Sequence, residues 1–434
     1  MVGRGASKQR PRRLHASRPG LEDKQVGEDG ELGASKDANL LEELEGDDDE
    51  ASELEDRSST SMSSSRPTDP RTVHILGVGN VGHFVAHALA GIPNRPPVKL
   101  ILDRQDLLRR WKRFGQKLVL VTNKTAEERT GYEVELALPQ EQTRPAKRNG
   151  RDIIQNLIVS VKTPNTTVAL SPIAHRLNRD STVLFLQNGM GVIDEVNAKI
   201  FPDEETRPNY MLGVVSHTLY ADGGFRVRHV GIGTIAIGVT PRLSLLESRV
   251  DQEQATLPVP PQSRYLLRTL TRTPVLAAVG FLPTDLLQFQ IEKLAVNAVI
   301  NSLTVMFDCT NGELLCNFAI SRVMRLLISE ISLVVRSLPE LQWVPNAQLR
   351  FSPERLEAQV ASICKKTFTN VSPMLQYVLD GRQTEIDYFN GYIVRRGEEL
   401  GIRCVLNYML VNMIRGKQQM LRLREGGLLP LVDA

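Results

Sequence analysis

Six residues, Gly77-Val78-Gly79-Asn80-Val81-Gly82, constrain the architecture of this chain more than any other segment. They follow a short β-branched run beginning at Thr72 and lead into Val81–Ala90, where apolar residues return at helical spacing. Between a strand and a helix, Gly77 permits a tight turn, Gly79 lets the backbone approach a pyrophosphate, and Gly82 lets the helix pack close to the strand. The helix N-terminus adds unpaired N–H groups and partial positive charge. Gly77, Val78, Gly79, Asn80, Val81 and Gly82 are therefore expected to bind a dinucleotide. The plainer alternative for the pattern is a structural turn.

Further buried strands are predicted at Val98–Leu102, Lys117–Thr122, Asp152–Val161 and Ser181–Leu186. Their alternation with helical segments predicts an α/β domain with a doubly wound, mainly parallel sheet over residues 71–282. Charged and Pro-containing stretches near 124–151 and 241–263 read as surface insertions or hairpins. From Pro283 the strand signals stop. Amphipathic runs at Gln288–Met306, Ala319–Leu338, Pro353–Thr367 and Glu385–Leu400 predict a mainly α-helical second domain over 283–425. There is no internal repeat.

A chain of 434 residues accommodates two such domains with extensions. Residues 1–70 form a basic opening, an acidic stretch and a Ser/Thr run, with too little apolar material to offset ordering entropy, so a disordered tail is expected. The first twenty residues carry Arg and Lys but no acid, which permits a mitochondrial presequence, so cytoplasmic and mitochondrial locations both stay open. A formal charge of +3 gives no reason to expect nucleic-acid binding. Cys309, Cys316, Cys364 and Cys404 lie outside any metal-ligand spacing, so no metal is expected. No apolar run is long enough for a membrane span.

The predicted strand ends carry the next candidates. Asp103 and Arg104 follow the second strand, where the acid would accept from a ribose 2′-OH and the base would pair with a 2′-phosphate; the spacing does not choose between them. A solvated loop is the plainer alternative. Val161-Lys162-Thr163 puts a cation and a hydroxyl at the end of another strand, and Gln187-Asn188-Gly189 puts an amide at the next. Asn188 can both donate and accept, which suits it to orient a ribose or a substrate.

In the run from Glu292 to Thr304, Lys293, Asn297 and Asn301 recur at intervals of four, so on a helix they form one polar stripe. A single Lys in an apolar helix usually snorkels to solvent. Two amides aligned with it favour a site instead. Hydride addition to a 2-oxo acid builds negative charge on the carbonyl oxygen, which an ammonium can stabilise and then protonate. Partial burial would bring the Lys293 pKa toward neutrality.

The pattern Lys293-x-x-x-Asn297-x-x-x-Asn301-x-Leu-Thr304 resembles the active-site helix of 2-dehydropantoate 2-reductases, the ketopantoate reductases, and in particular their larger fungal-type members. The glycine loop, Leu102-Asp-Arg104, Val161-Lys162-Thr163, Gln187-Asn188-Gly189, His229-Val-Gly231-Ile-Gly233, Cys309-Thr-Asn311-Gly312-Glu313, Ser372-Pro-Met374 and Thr384-Glu385-Ile-Asp387 follow in family order. The resemblance implies an N-terminal Rossmann domain joined to a helical domain, and NADPH-dependent reduction of 2-dehydropantoate to pantoate on the route to coenzyme A. It implies that Lys293 and Glu385 are catalytic and that Asn297, Asn301 and Ser372 bind substrate. The glycine loop, Arg104, Lys162 and Asn188 would contact NADP. A homodimer is compatible with this reading. Two positions depart from the family pattern: Thr218 replaces a glycine after Ser216-His217, and Asp103 is an unusual neighbour for an NADP-selecting arginine.

Plainer readings stand beside these. His83 and His87, four apart on the first helix, are expected to be packing or surface residues, and His229 to shape a strand turn. Ser372 beside Pro373 fits a helix cap, and Glu385 and Asp387 fit acids at a helix start. Beyond the first reading, the chain could reduce another 2-oxo acid, or serve as a non-catalytic scaffold on the same fold with a binding or regulatory role in mitochondria.

Overall fold

The computed structural model describes residues 69–137, 153–242 and 259–426. Residues 1–68 of the expected tail, half of the first expected insertion and most of the second lie outside them. Twelve strands and twelve helices are described. The strands are β1 Val73–Leu76, β2 Val98–Leu102, β3 Leu118–Thr122, β4 Thr125–Arg129, β5 Glu133–Leu136, β6 Asn156–Val159, β7 Thr182–Phe185, β8 Asn209–Val215, β9 Thr218–Ala221, β10 Arg226–Gly231, β11 Ile235–Thr240 and β12 Ala278–Gly280. The first five helices are α1 Asn80–Leu89, α2 Gln105–Arg113, α3 Thr166–Leu170, α4 Val192–Lys199 and α5 Pro261–Thr271. Seven more follow: α6 Pro283–Phe307, α7 Phe318–Arg336, α8 Ala347–Arg350, α9 Pro353–Lys366, α10 Pro373–Leu379, α11 Asn390–Glu399 and α12 Val405–Glu425. Among the described residues, no helix is long and apolar enough to cross a membrane.

Eight strands form the main sheet in the order β12-β11-β8-β7-β6-β1-β2-β5. Every neighbouring pair is parallel except β8 and β11. From β1 the chain goes to β2 on one side and later to β6 on the other, so a crevice opens beyond the carboxyl end of β1, where such sheets take ligands. The fully buried strands β1, β6 and β7 show why the sequence reads as continuous apolar runs: helices cover both faces.

The segment Lys117–Thr122 is a strand, as its apolar run predicts, but it does not join the parallel sheet. Asn123 and Lys124 adopt left-handed backbone, with φ of 49° and 68°, and turn β3 back onto β4. Together with β9 and β10 they form a second, four-stranded sheet. The expected insertion after residue 124 is therefore part hairpin and part edge strand, because β5 returns to pair with β2 at the edge of the main sheet.

Helix α1 joins the two sheets. His83 and His87 are buried on it, and each ring Nε2 lies 3.0 Å from a second-sheet carbonyl, of Val119 and of Glu127 respectively. They are packing residues, and burial holds both near pKa 4, as it does His74 on β1. The sign follows from proton counting. Below about pH 6.5 the unfolded chain protonates these rings, whereas the folded chain refuses the proton until about pH 4, so stability falls as pH drops through that window. Each ring contributes a slope of about 1.4 kcal/mol per pH unit. Urea titrations at pH 7, 6, 5 and 4.5 should show this loss, and a His83→Gln/His87→Gln variant, which retains N–H donors, should lose much of the slope. An unchanged slope in the variant would refute the assignment.

The helical region is organised around α6, a continuous helix of 25 residues that begins with Pro283 in its first turn and contains no further Pro or Gly. Its first turns lie on the main sheet, where the Cβ of Leu286 is 3.4 Å from the position a Cβ on Gly238 would take. From Ile291 onward it enters a second hydrophobic core with α7, α9, α10, α11 and α12. Residue 293 therefore falls at the junction of the two bodies. The predicted helical run from Glu385 is broken: a 3-10 turn spans Ile386–Tyr388, Phe389 leaves the helical region at ψ −92°, and α11 starts only at Asn390. Part of the reason is tertiary. The Tyr388 carbonyl accepts from Met190 N–H at 3.0 Å instead of serving a helix.

Candidate active site

The glycine loop is built as its spacing predicts. Gly77 has φ of +95°, and a Cβ there would meet the Val161 backbone nitrogen at 2.7 Å. A Cβ on Gly82 would sit 2.0 Å from the Gly77 carbonyl oxygen and 2.3 Å from Ser160 Oγ, which itself donates to that carbonyl at 2.6 Å. Gly79 differs: a Cβ there would meet nothing within 4 Å. The backbone at Gly79 thus borders open space at the N-terminus of α1, whose first turn has no acidic residue and no side-chain cap. That arrangement fits a pyrophosphate. Val78 and Val81 pack partly on the core beneath, and Asn80 Nδ2 donates to the Leu219 carbonyl at 3.1 Å, fastening the loop to β9.

Arg104 follows β2 at the same edge of the sheet. Its side chain is 74% exposed and touches Asp103 at 3.4 Å. Acid and base thus pair with each other, in a contact weak enough for an incoming phosphate to displace.

Lys162, Thr163, Asn188 and Glu385 meet beyond β6 and β7. Glu385 is buried, with Oε2 3.8 Å from Lys162 Nζ and Oε1 3.0 Å from Thr163 Oγ1, and it accepts from Thr163 N–H at 3.4 Å. The Thr163 hydroxyl also lies 2.7 Å from the Asn188 carbonyl oxygen. Lys162, half-exposed, stands 4.5 Å above the Tyr377 ring. Burial would lower its pKa, but Glu385 and Tyr377 outweigh burial and hold it above the ordinary lysine value. Glu385 therefore does not act as a helix-start acid; its carboxylate reaches across to the loop after β6.

Lys293 faces a cleft shared with Gln187, Asn188, Gly189 and Gly213 rather than bulk water. Its Nζ donates to the Val215 carbonyl at 2.6 Å. Burial lowers its pKa to about 8; Glu385 opposes that shift and Lys162 adds to it. Two cations and one carboxylate leave the cleft with a net positive charge at neutral pH, which suits an anionic substrate. Asn297 and Asn301 continue the stripe along α6, and among the described residues neither side-chain amide is hydrogen-bonded to the protein, so both are available to a ligand.

Ser372 has a different local role. It is 1% exposed, caps α10 by accepting from Leu375 N–H at 3.2 Å, and lies 2.6 Å from Thr304 Oγ1. Thr304 donates to the Ile300 carbonyl at 2.7 Å, so Ser372 must direct its own proton to Thr304. His229 is also committed within the fold: its Nε2–H donates to Nδ1 of His217 at 3.1 Å, while His217 Nε2–H donates to the Leu276 carbonyl at 2.8 Å. The sequence pointed to a hydroxyl at Thr163 but not to its contact with Glu385. Tyr377 and the Val215 carbonyl gave no signal.

Comparison with known proteins places the chain in a family. A family model described as "Ketopantoate reductase PanE/ApbA" matches residues 73–242, and its C-terminal counterpart matches residues 285–418. The chain is 29% identical over 358 residues to a probable 2-dehydropantoate 2-reductase of Schizosaccharomyces pombe, covering 81% of this chain and 98% of that protein. It is 27% identical over 361 residues to a ketoisovalerate reductase of Gibberella fujikuroi, covering 74% and 77% respectively. The fold is shared with a ketopantoate reductase of the PanE/ApbA family from Ralstonia eutropha, at TM-score 0.60 and 22% identity over 81% of this chain and 99% of that one. It is also shared with a D-mandelate dehydrogenase solved with NADH and anilino(oxo)acetate, at TM-score 0.58 and 19% identity, with the same coverage. Matched in both halves by family models that together cover most of its length, the chain belongs to the ketopantoate reductase family.

Proposed function

We propose that this oxidoreductase reduces 2-dehydropantoate to pantoate with NADPH, and that Lys293 supplies the proton. Residues 71–282 form the cofactor domain in this reading, and residues 283–425 carry the substrate groups. The observation that supports it most is the Lys293 ammonium, lowered to about pKa 8 in a cleft it shares with Asn188 and next to a second cation and a carboxylate. The D-mandelate dehydrogenase solved with NADH supports a nicotinamide dinucleotide for the same fold.

The dinucleotide would lie along Gly77–Gly82 with its phosphates over the N-terminus of α1, and when bound it supplies the hydride that adds to the substrate carbonyl carbon. Lys293 stabilises the charge on the carbonyl oxygen and then protonates it. At pKa about 8 it is mostly protonated at pH 7 yet releases its proton far more readily than an exposed lysine. Val215 holds it in place through its carbonyl. Asn297 and Asn301 offer uncommitted amides to substrate hydroxyl and carboxylate oxygens. Ser372 joins them by exchange, its proton leaving Thr304 for a carboxylate oxygen. Glu385 and Lys162 set the charge of the cleft wall, and Asn188 orients the nicotinamide ribose.

A second substrate has a specific observation in its favour, since a ketoisovalerate reductase matches at 27% identity, close to the 29% of the 2-dehydropantoate relative. Both substrates share the branched 2-oxo acid unit, and the pocket walls do the selecting. Following NADPH oxidation with 2-dehydropantoate, 2-oxoisovalerate and a panel of other 2-oxo acids separates the two readings. No turnover on any of them would overturn both.

Arg104 carries the preference for the phosphorylated cofactor. An Arg104→Ser variant should raise the KM for NADPH by about tenfold to a hundredfold, as loss of a charge-assisted hydrogen bond does, and leave that for NADH nearly unchanged. Equal changes for both cofactors would remove Arg104 from this role.

A further inference from the structure

The Thr163 hydroxyl has one proton and two acceptor oxygens within hydrogen-bond distance. It lies 2.7 Å from the Asn188 carbonyl oxygen and 3.0 Å from Glu385 Oε1, and the Thr163 residue is itself 1% exposed. When Glu385 is neutral, its carboxyl O–H can donate to Thr163 Oγ1, which then donates to Asn188; every group is satisfied. When Glu385 is ionised, it has no proton to give, and the Thr163 hydroxyl can serve either the carboxylate or the carbonyl. A charged acceptor competes better than a neutral one, so the hydroxyl turns to Glu385 and the Asn188 carbonyl loses its donor.

We infer that Thr163 is a positioning residue whose single hydroxyl proton couples the charge on Glu385 to the backbone of the 187–191 loop. The surroundings give the loop little slack to absorb such a change by sliding. Gln187 Nε2 donates to Thr166 Oγ1 at 2.7 Å, Thr166 Oγ1 donates to the Thr163 carbonyl at 2.9 Å, and Met190 N–H donates to the Tyr388 carbonyl at 3.0 Å. A Cβ on Gly189 would meet Tyr388 Cβ at 2.7 Å. The charged groups around Glu385 are Lys162 from the β6 end and Lys293 from α6, with Arg382 beyond Lys162 and the Asp387–Arg415 pair behind the turn. Any ligand that changes the charge balance at Glu385 therefore changes how firmly Asn188 is held. In the reading proposed above, Asn188 touches the cofactor, so the hydroxyl links substrate occupancy to cofactor affinity, and by reciprocity cofactor to substrate.

The test is a double-mutant cycle on the full chain with two readouts: the Kd for NADPH by fluorescence, and amide hydrogen exchange of the 187–191 segment without cofactor. Glu385→Gln keeps the size of the side chain, loses the charge and can donate to Thr163, so it should tighten NADPH binding by about threefold to tenfold and slow exchange in the loop. In a Thr163→Val background, which keeps the shape without the hydroxyl, Glu385→Gln should change neither readout by more than about twofold. Thr163→Ser should restore the coupling. Additive effects in the exchange readout, or a serine variant that behaves like valine, would overturn the inference. Coupled exchange in a protein that binds no NADPH would instead leave Thr163 in its role and overturn the proposed cofactor.

Discussion

Lys293→Met is expected to lower turnover of the 2-oxo acid by about three orders of magnitude or more, while NADPH binds as in the parent protein. The size follows from losing two effects at once: stabilisation of the developing oxyanion and delivery of a proton. Cofactor binding should survive because Lys293 touches none of the residues from Gly77 to Gly82. In the parent protein the reduction rate should be near its maximum at about pH 7 and lower, and fall by half as pH reaches about 8, because only the ammonium is competent. The same substitution bears on stability. A buried ammonium whose pKa drops from 10.5 to about 8 destabilises the fold at neutral pH, so replacing it with an apolar side chain should raise stability. After subtracting the donor that the Val215 carbonyl loses, the gain is on the order of 2 kcal/mol. An inactive variant that resists urea better than its parent marks a residue kept for chemistry. A variant with more than a tenth of the parental turnover would remove the proposed proton donor.

The parts of this site that could be read from the sequence are those fixed by local backbone geometry. The glycines at 77 and 82 are legible because the turn and the close strand–helix packing leave room for no larger side chain, and both demands arise within one strand–turn–helix unit. Lys293, Asn297 and Asn301 are legible because a helix turns spacing into a shared face. The contact between Thr163 and Glu385 is not legible, since 222 residues separate them and neither carries a pattern that names the other. Lys117–Thr122 illustrates a second limit: alternation and apolar content announce a strand, but the sheet it joins is decided by a left-handed turn and by the surface of α1. Glu385–Leu400 shows the same limit in a helix. Its periodicity is helical throughout, and the turn at Ile386–Tyr388 exists because Tyr388 serves Met190 and Glu195 rather than its own helix. Ser372 gave the same signal for a cap and for a ligand contact, and only its bond to Thr304 reveals where its proton goes.

Gly79→Ala and Gly82→Ala should separate the cofactor cradle from the scaffold beneath it. At Gly82 a methyl group would have to occupy space 2.0 Å from the Gly77 carbonyl oxygen, which cannot yield freely because it also holds Ser160 Oγ. The expected cost is about 3 kcal/mol or more of stability, with cofactor binding lost as the strand–helix contact opens. At Gly79 the added methyl meets nothing in the protein, and the backbone, at φ −78° and ψ −168°, is one that alanine adopts without strain. Gly79→Ala should therefore unfold within about 0.5 kcal/mol of the parent. Its methyl would nonetheless stand where the phosphates must come close to the first turn of α1, so the Kd for NADPH should rise by about a hundredfold, the equivalent of two charge-assisted hydrogen bonds lengthened or broken. Urea denaturation and fluorescence titration of the two variants check both halves of the prediction. If Gly79→Ala bound NADPH as tightly as the parent, the open space above that glycine would not be the phosphate site, and the dinucleotide would have to lie elsewhere along the strand ends.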